Sequence, residues 1–214
     1  MPQLASADGP AKPEFSSRDG LNTPKDLGLR GDRFAPLTVE AMTPEQRAMT
    51  DTLMAGKRAS MQGPYNVLLR SPAMGQLAQA FGEQVRFESS LPLRQNELAI
   101  LLVARFWGCQ FMWHAHREIA IGAGLPAAVV DAIARREEPA GLQGDDLSVY
   151  RFCKELLDTR RVGDAAFAAI EQAFGERGAV DLMGTMSYYT LVAMALNVDR
   201  YPLPEGAEPG LPFP

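Results

Sequence analysis

Between Leu91 and Leu125 the chain sets both of its histidines, His114 and His116, near one of its two cysteines, Cys109, and a carboxylate, Glu97. An imidazole recharged by a carboxylate suits proton transfer near neutral pH. A thiol in the same stretch suits nucleophilic or redox chemistry once it ionises. Taken as a helix, Leu93–Trp107 puts Glu97 on one face with Leu101, Ala104 and Gly108. A Glu there is either the wet edge of that face or a carboxylate held inside, where it needs a hydrogen-bond partner. Residue type favours the wet edge, because Glu is rarely fully buried unless paired.

Gly108 loosens the chain, and a second helix is expected from near Cys109 to just before Gly124, with Pro126 beyond it. Cys109, Met112, Trp113 and His116 then fall at i, i+3, i+4 and i+7, a single stripe, while His114 points away. A cysteine in the first turn of a helix sits near amide dipoles that lower its pKa. The plain alternative is a core stripe of Cys, Met and Trp with one satisfied histidine, and residue types alone favour it. Direct pairing of Cys109 with His116 is disfavoured, since two helical turns separate them by roughly 10 Å. A zinc site needs three or four ligands, and two histidines at i and i+2 diverge, so no metal is expected. Glycine-rich phosphate loops, dinucleotide fingerprints and nucleophile elbows are absent, and no cofactor is expected.

The run Glu97–Leu98–Ala99–Ile100–Leu101–Leu102–Val103–Ala104, followed by Cys109, His116 and Gly124, resembles the central motif of the carboxymuconolactone decarboxylase family. GPYNVLLRSP at 63–72, RFESSLP at 86–92 and SYYTLVAMALNVDRYPLPEG at 187–206 also read like family segments, so the resemblance covers about residues 40–206. It implies the alkyl hydroperoxidase D-like fold, and an active site lined by Glu97, Cys109 and His116. The peroxidase branch carries a second cysteine three residues after the first and a histidine just before that. Here those positions are Met112 and Phe111. A disulfide-cycling peroxidase needs a resolving thiol beside the attacking one, and Cys153 belongs to a different expected helix. Many non-peroxidase members place an acidic residue before the Trp, where this chain has Met112, so the resemblance leaves the general acid open.

These residues must be positioned by the rest of the chain. With 214 residues and 46% hydrophobic composition it can bury one good core. A net charge of -5 and pI near 5.1 argue against nucleic acid or an anionic membrane surface as main partner. No uninterrupted apolar run reaches the ~18 residues of a membrane span, and no basic, apolar-cored leader opens the sequence. Two cysteines far apart fit reduced thiols in a cytoplasmic protein, with the periplasm as the alternative if a leader has been removed.

Residues 1–40 are rich in Pro, Gly, Ser and Asp and read as an extended or partly disordered arm. Phe15, Leu27, Leu29 and Phe34 are anchors by which such an arm would lie across a neighbouring subunit. Thr43-Pro44-Glu45-Gln46 is a helix start with a capping box, its helix ending near Gly56. Ser71-Pro72 opens a helix towards Ser89. Between them Gly63–Arg70 reads as a connector, whose Arg70 offers a planar fork to a substrate carboxylate or, more plainly, caps a carbonyl. Further helices are expected over Pro126–Arg136, over Leu147–Thr159 with Asp145 or Asp146 as cap, from Asp164 through Phe174, and over about Ala179–Asn197. The last of these brings Tyr188 or Tyr189 towards the site. The fold class is all-α, a bundle of about eight helices spanning residues 41–206, with a proline-rich tail at 207–214.

The leading functional expectation is decarboxylation and protonation of a small cyclic organic acid or lactone, of the kind met in aromatic catabolism. In it His116 delivers the proton, Glu97 orients the imidazole, and Cys109 is a wall residue. Trp113, Met112, His114 and Arg70 are the expected substrate contacts. The runner-up is a thiol-dependent hydroperoxidase using Cys109 with an external thiol. A third reading is a non-catalytic small-acid-binding oligomer. Resemblance further implies a homo-oligomer, a trimer or hexamer.

Overall fold

Every residue from Gln95 to Arg105 is buried, which explains why the apolar run in the middle of this segment shows no amphipathic break. The computed structural model describes residues 27–212. They form α1 (Pro44–Ala55), α2 (Tyr65–Leu68), α3 (Pro72–Phe87), α4 (Leu93–Phe106), α5 (Gln110–Gly122), α6 (Ala127–Ala134), α7 (Gly144–Thr159) and α8 (Asp164–Asp199). No strand occurs among the described residues, and the architecture is the all-α, alkyl hydroperoxidase D-like bundle anticipated from sequence. α4 is its axis, packed against α5, α7 and α8, with α6 closing one side. A smaller cluster built from Met49, Leu53, Tyr65 and Leu68 lies under α1 and α2.

The capping box at Thr43 forms as expected: the Gln46 amide donates to Thr43 Oγ1 at 3.3 Å, and the Thr43 amide donates to Gln46 Oε1 at 2.9 Å. Such a cap contributes about 1 kcal/mol. The expected cap at Asp145 or Asp146 does not form. Gln143 precedes the helix instead, and Asp146 turns inward to accept from Arg94 Nε at 3.1 Å and Gln95 Nε2 at 2.8 Å. The half-buried Arg94 and the buried Gln95 together outcompete the local cap, and the result ties α7 to the start of α4. The expected connector at Gly63–Arg70 contains the short α2. α8 is in effect two helices, because Gly175 breaks the backbone with φ 69° and ψ 178°, a conformation that favours glycine. That break accounts for the two separate helices read from sequence. α8 is also long and apolar enough to cross a membrane by length and composition, yet in this fold it packs against α4, α7 and α3.

The buried carboxylate of Asp199, at the end of α8, docks the N-terminal segment. It accepts from the Arg33 amide at 3.0 Å, the Phe34 amide at 2.8 Å and Asn66 Nδ2 at 2.9 Å. Leu29 is buried in the smaller cluster. The part of the arm that is described therefore packs on its own chain, and Leu29 is not an anchor held out for a neighbour. Phe15 lies outside the described residues. At the other end the tail folds back: the Leu211 amide donates to Gln110 Oε1 at 3.0 Å and Gln110 Nε2 donates to the Leu211 carbonyl at 2.7 Å.

Candidate active site

Three consecutive polar residues at the start of α4 are all buried, and each is tied to a different helix. Gln95 bonds Asp146 of α7. Asn96 donates to the Val85 carbonyl of α3 at 3.1 Å and accepts from Thr185 Oγ1 of α8 at 2.7 Å. Glu97 Oε2 lies 2.7 Å from His116 Nδ1 of α5. The first two pairs set the rotation of α4 about its axis, and that rotation aims Glu97 at α5.

Between the two helices Gly108 adopts φ 58°, and the Cys109 amide donates to the Ala104 carbonyl at 2.9 Å. This tight reversal faces α5 back along α4, so positions 97 and 116 meet across the hairpin. Glu97 is 3% exposed and His116 5% exposed. The wet-edge reading of Glu97 is thereby overturned. His116 supplies the partner that a buried carboxylate requires, from nineteen positions away in sequence, beyond the range of any helical-face argument.

α8 completes the surroundings. The ring of Tyr189 stands edge-on to the His116 imidazole, with centroids 5.0 Å apart and planes at 87°. Tyr188 packs edge-on against Tyr189 at 5.3 Å and lies against Gly82, where a Cβ would come within 2.3 Å of its phenol ring. The Tyr189 hydroxyl is buried and has no hydrogen-bond partner. Burial pushes that phenol far above its ordinary range, so it stays protonated and able to donate.

The stripe Cys109, Met112, Trp113 and His116 is buried throughout, as its spacing predicts, with Gly210 of the tail pressed against Trp113. The thiol, however, is not activated. Cys109 is 1% exposed, and burial pushes its pKa up to about 11 despite a backbone hydrogen bond near Met112 that pulls it down. Desolvation outweighs the amide dipoles expected to lower it. Cys153 is free and buried as well. His114 is exposed and is not brought to the pair. Arg70 is also placed elsewhere: its guanidinium donates to the Ala35 carbonyl and lies over the Phe34 ring at 5.8 Å. It holds the N-terminal segment, which is the carbonyl-capping role. Among the described residues no group of three or more His, Cys, Asp or Glu side chains is placed to hold a metal ion.

An all-helical bundle with a carboxylate–imidazole pair buried between two central helices is the class that fold and site define. Residues 72–149, which include Glu97, Cys109 and His116, match the model of the carboxymuconolactone decarboxylase family. The match to this segment agrees with the motif resemblance. No curated protein matches the chain significantly.

Proposed function

We propose that the protein catalyses proton-transfer chemistry on a small cyclic organic acid or lactone, most simply decarboxylation followed by protonation at carbon. The observation that carries this reading is the buried 2.7 Å contact between Glu97 and His116 Nδ1. With Nδ1 engaged by the carboxylate, Nε2 is the ring nitrogen left for substrate. As carbon dioxide leaves, the electrons of the breaking carbon–carbon bond pass into an enolate. His116 Nε2–H protonates the enolate carbon, and Glu97 stabilises the imidazolium that precedes transfer. In this reading the hydroxyl of Tyr189, unpartnered and neutral, donates to the enolate oxygen, the role of an oxyanion donor. Water then returns the proton to the imidazole. Tyr189 thus takes the general-donor place that Met112 cannot fill.

The hydroperoxidase reading is the weaker one. It needs an exposed, ionised thiol, and Cys109 is enclosed with its pKa raised. We further propose that the chain acts as a cytoplasmic homo-oligomer, a trimer or hexamer. Met74, Leu77 and Phe81 on α3 and Val180 and Met183 on α8 are large apolar side chains left exposed, and a second copy would cover them. The test of the chemistry is turnover of a carboxylated lactone in deuterium oxide. Deuterium on a single face of the protonated carbon, together with release of carbon dioxide, supports the proposal. Release with deuterium on both faces means that solvent, and not the enzyme, protonates there.

A further inference from the structure

We propose that a cavity between α4, α6 and α7 is a second binding site, for a small organic carboxylate with an apolar body. The cavity measures about 320 Å³, within the size range of small-molecule pockets. Its apolar wall comes from Leu102, Phe106, Ile133 and Leu157, and its positive charge from Arg105 and Arg136. Neither Glu97 nor His116 lines it. Glu97 and Arg105 share α4 but stand two turns apart, roughly 12 Å along the axis.

Arg105 carries the argument. The residue is 6% exposed, and its Nε and Nη1 are buried with no hydrogen-bond partner. Unpaired donors on a buried cation are costly, and proteins seldom leave them so. The acidic groups at the cavity do not neutralise it, because each is engaged by another cation. Glu137 accepts from Arg135 at 2.7 Å, and Asp158 is paired with Lys154. Arg136 has no carboxylate partner among the described residues. It raises the local positive potential; burial first, and the charge of Arg136 second, push the Arg105 guanidinium down from its usual range. An incoming carboxylate relieves both effects at once, by charge-assisted hydrogen bonds to Arg105. The aliphatic and aromatic wall then selects an apolar body over a bare inorganic anion.

The experiment is calorimetric titration of the full-length chain with benzoate, benzyl alcohol and inorganic phosphate. Benzoate should bind saturably. Benzyl alcohol and phosphate should each bind at least about tenfold more weakly. Arg105→Leu should weaken benzoate at least about tenfold, and Arg136→Gln, a change at an exposed position, should weaken it measurably even if the first variant folds poorly. His116→Gln should bind benzoate as the wild type does. Absence of saturable benzoate binding up to about 20 mM overturns the proposal. So does undiminished binding in the arginine variants, phosphate binding tighter than benzoate, or loss of binding in His116→Gln, which would place benzoate at the Glu97–His116 pair.

Discussion

Glu97 Oε2 and His116 Nδ1 are 2.7 Å apart and closed off from bulk water by the helices that carry them. In such a setting the hydrogen bond fixes the orientation of the imidazole ring and engages its Nδ1. The pair is held by its neighbours: Gln95 and Asn96 lock α4 to α7, α3 and α8. The geometry is built into the core.

Tyr189→Phe separates packing from chemistry. The ring that stands against His116 is kept, and only a buried hydroxyl without a partner is removed. Thermal stability should hold or rise by about 1 kcal/mol, since an unsatisfied buried hydroxyl disfavours the fold. Turnover should fall about a hundredfold, the usual effect of losing one oxyanion donor. Steady-state kinetics beside a melting curve give both readouts, and full activity in the variant removes Tyr189 from the mechanism.

The thiol of Cys109 should be sluggish. With its pKa near 11 rather than the ordinary 9.0, alkylation at pH 7 should run about a hundredfold slower than for a free thiol. Its contribution to stability has a definite sign. The folded state holds the proton more tightly than the unfolded state, so the contribution is fully present below pH 9 and is lost as pH rises through 11. Relative to Cys109→Ala, the wild type should therefore lose up to about 3 kcal/mol across that window in urea titrations. A constant difference would mean the thiol ionises as easily folded as unfolded.

Asp199→Asn should release the N-terminal segment. The carboxylate accepts from two backbone amides and from Asn66, and the new amide nitrogen cannot accept. The expected cost is about 2 kcal/mol. Limited trypsin digestion should show faster cleavage after Arg30 or Arg33, and an unchanged digestion rate would show that other contacts hold the segment.

Local signals carried much of this fold into the sequence. Thr43, Pro44 and Gln46 announce α1, and the spacing of Cys109, Met112, Trp113 and His116 gives the buried stripe, because caps and helical faces depend on near neighbours. Burial of Glu97 was not legible from residue type, since it depends on a histidine across a hairpin. Motif resemblance named both residues, and the expected role of Glu97 in orienting the imidazole required the contact that the hairpin supplies. Asp146 looked like a helix cap because its partners Arg94 and Gln95 are distant in the chain. Cys109 looked activated because the helix start is visible in the sequence and the enclosure that raises its pKa is not. Arg105 gave no signal, ending a helix like many other arginines; its missing partners are a property of packing alone.

The central claim is that the imidazole, and not the thiol, carries the chemistry. The direct test measures carbon dioxide release from a carboxylated lactone by wild type, His116→Ala and Cys109→Ser in parallel. The account predicts turnover in the wild type, most of it retained in Cys109→Ser, and a loss of at least about a hundredfold in His116→Ala. Full activity in His116→Ala, or activity lost only in Cys109→Ser, would contradict it.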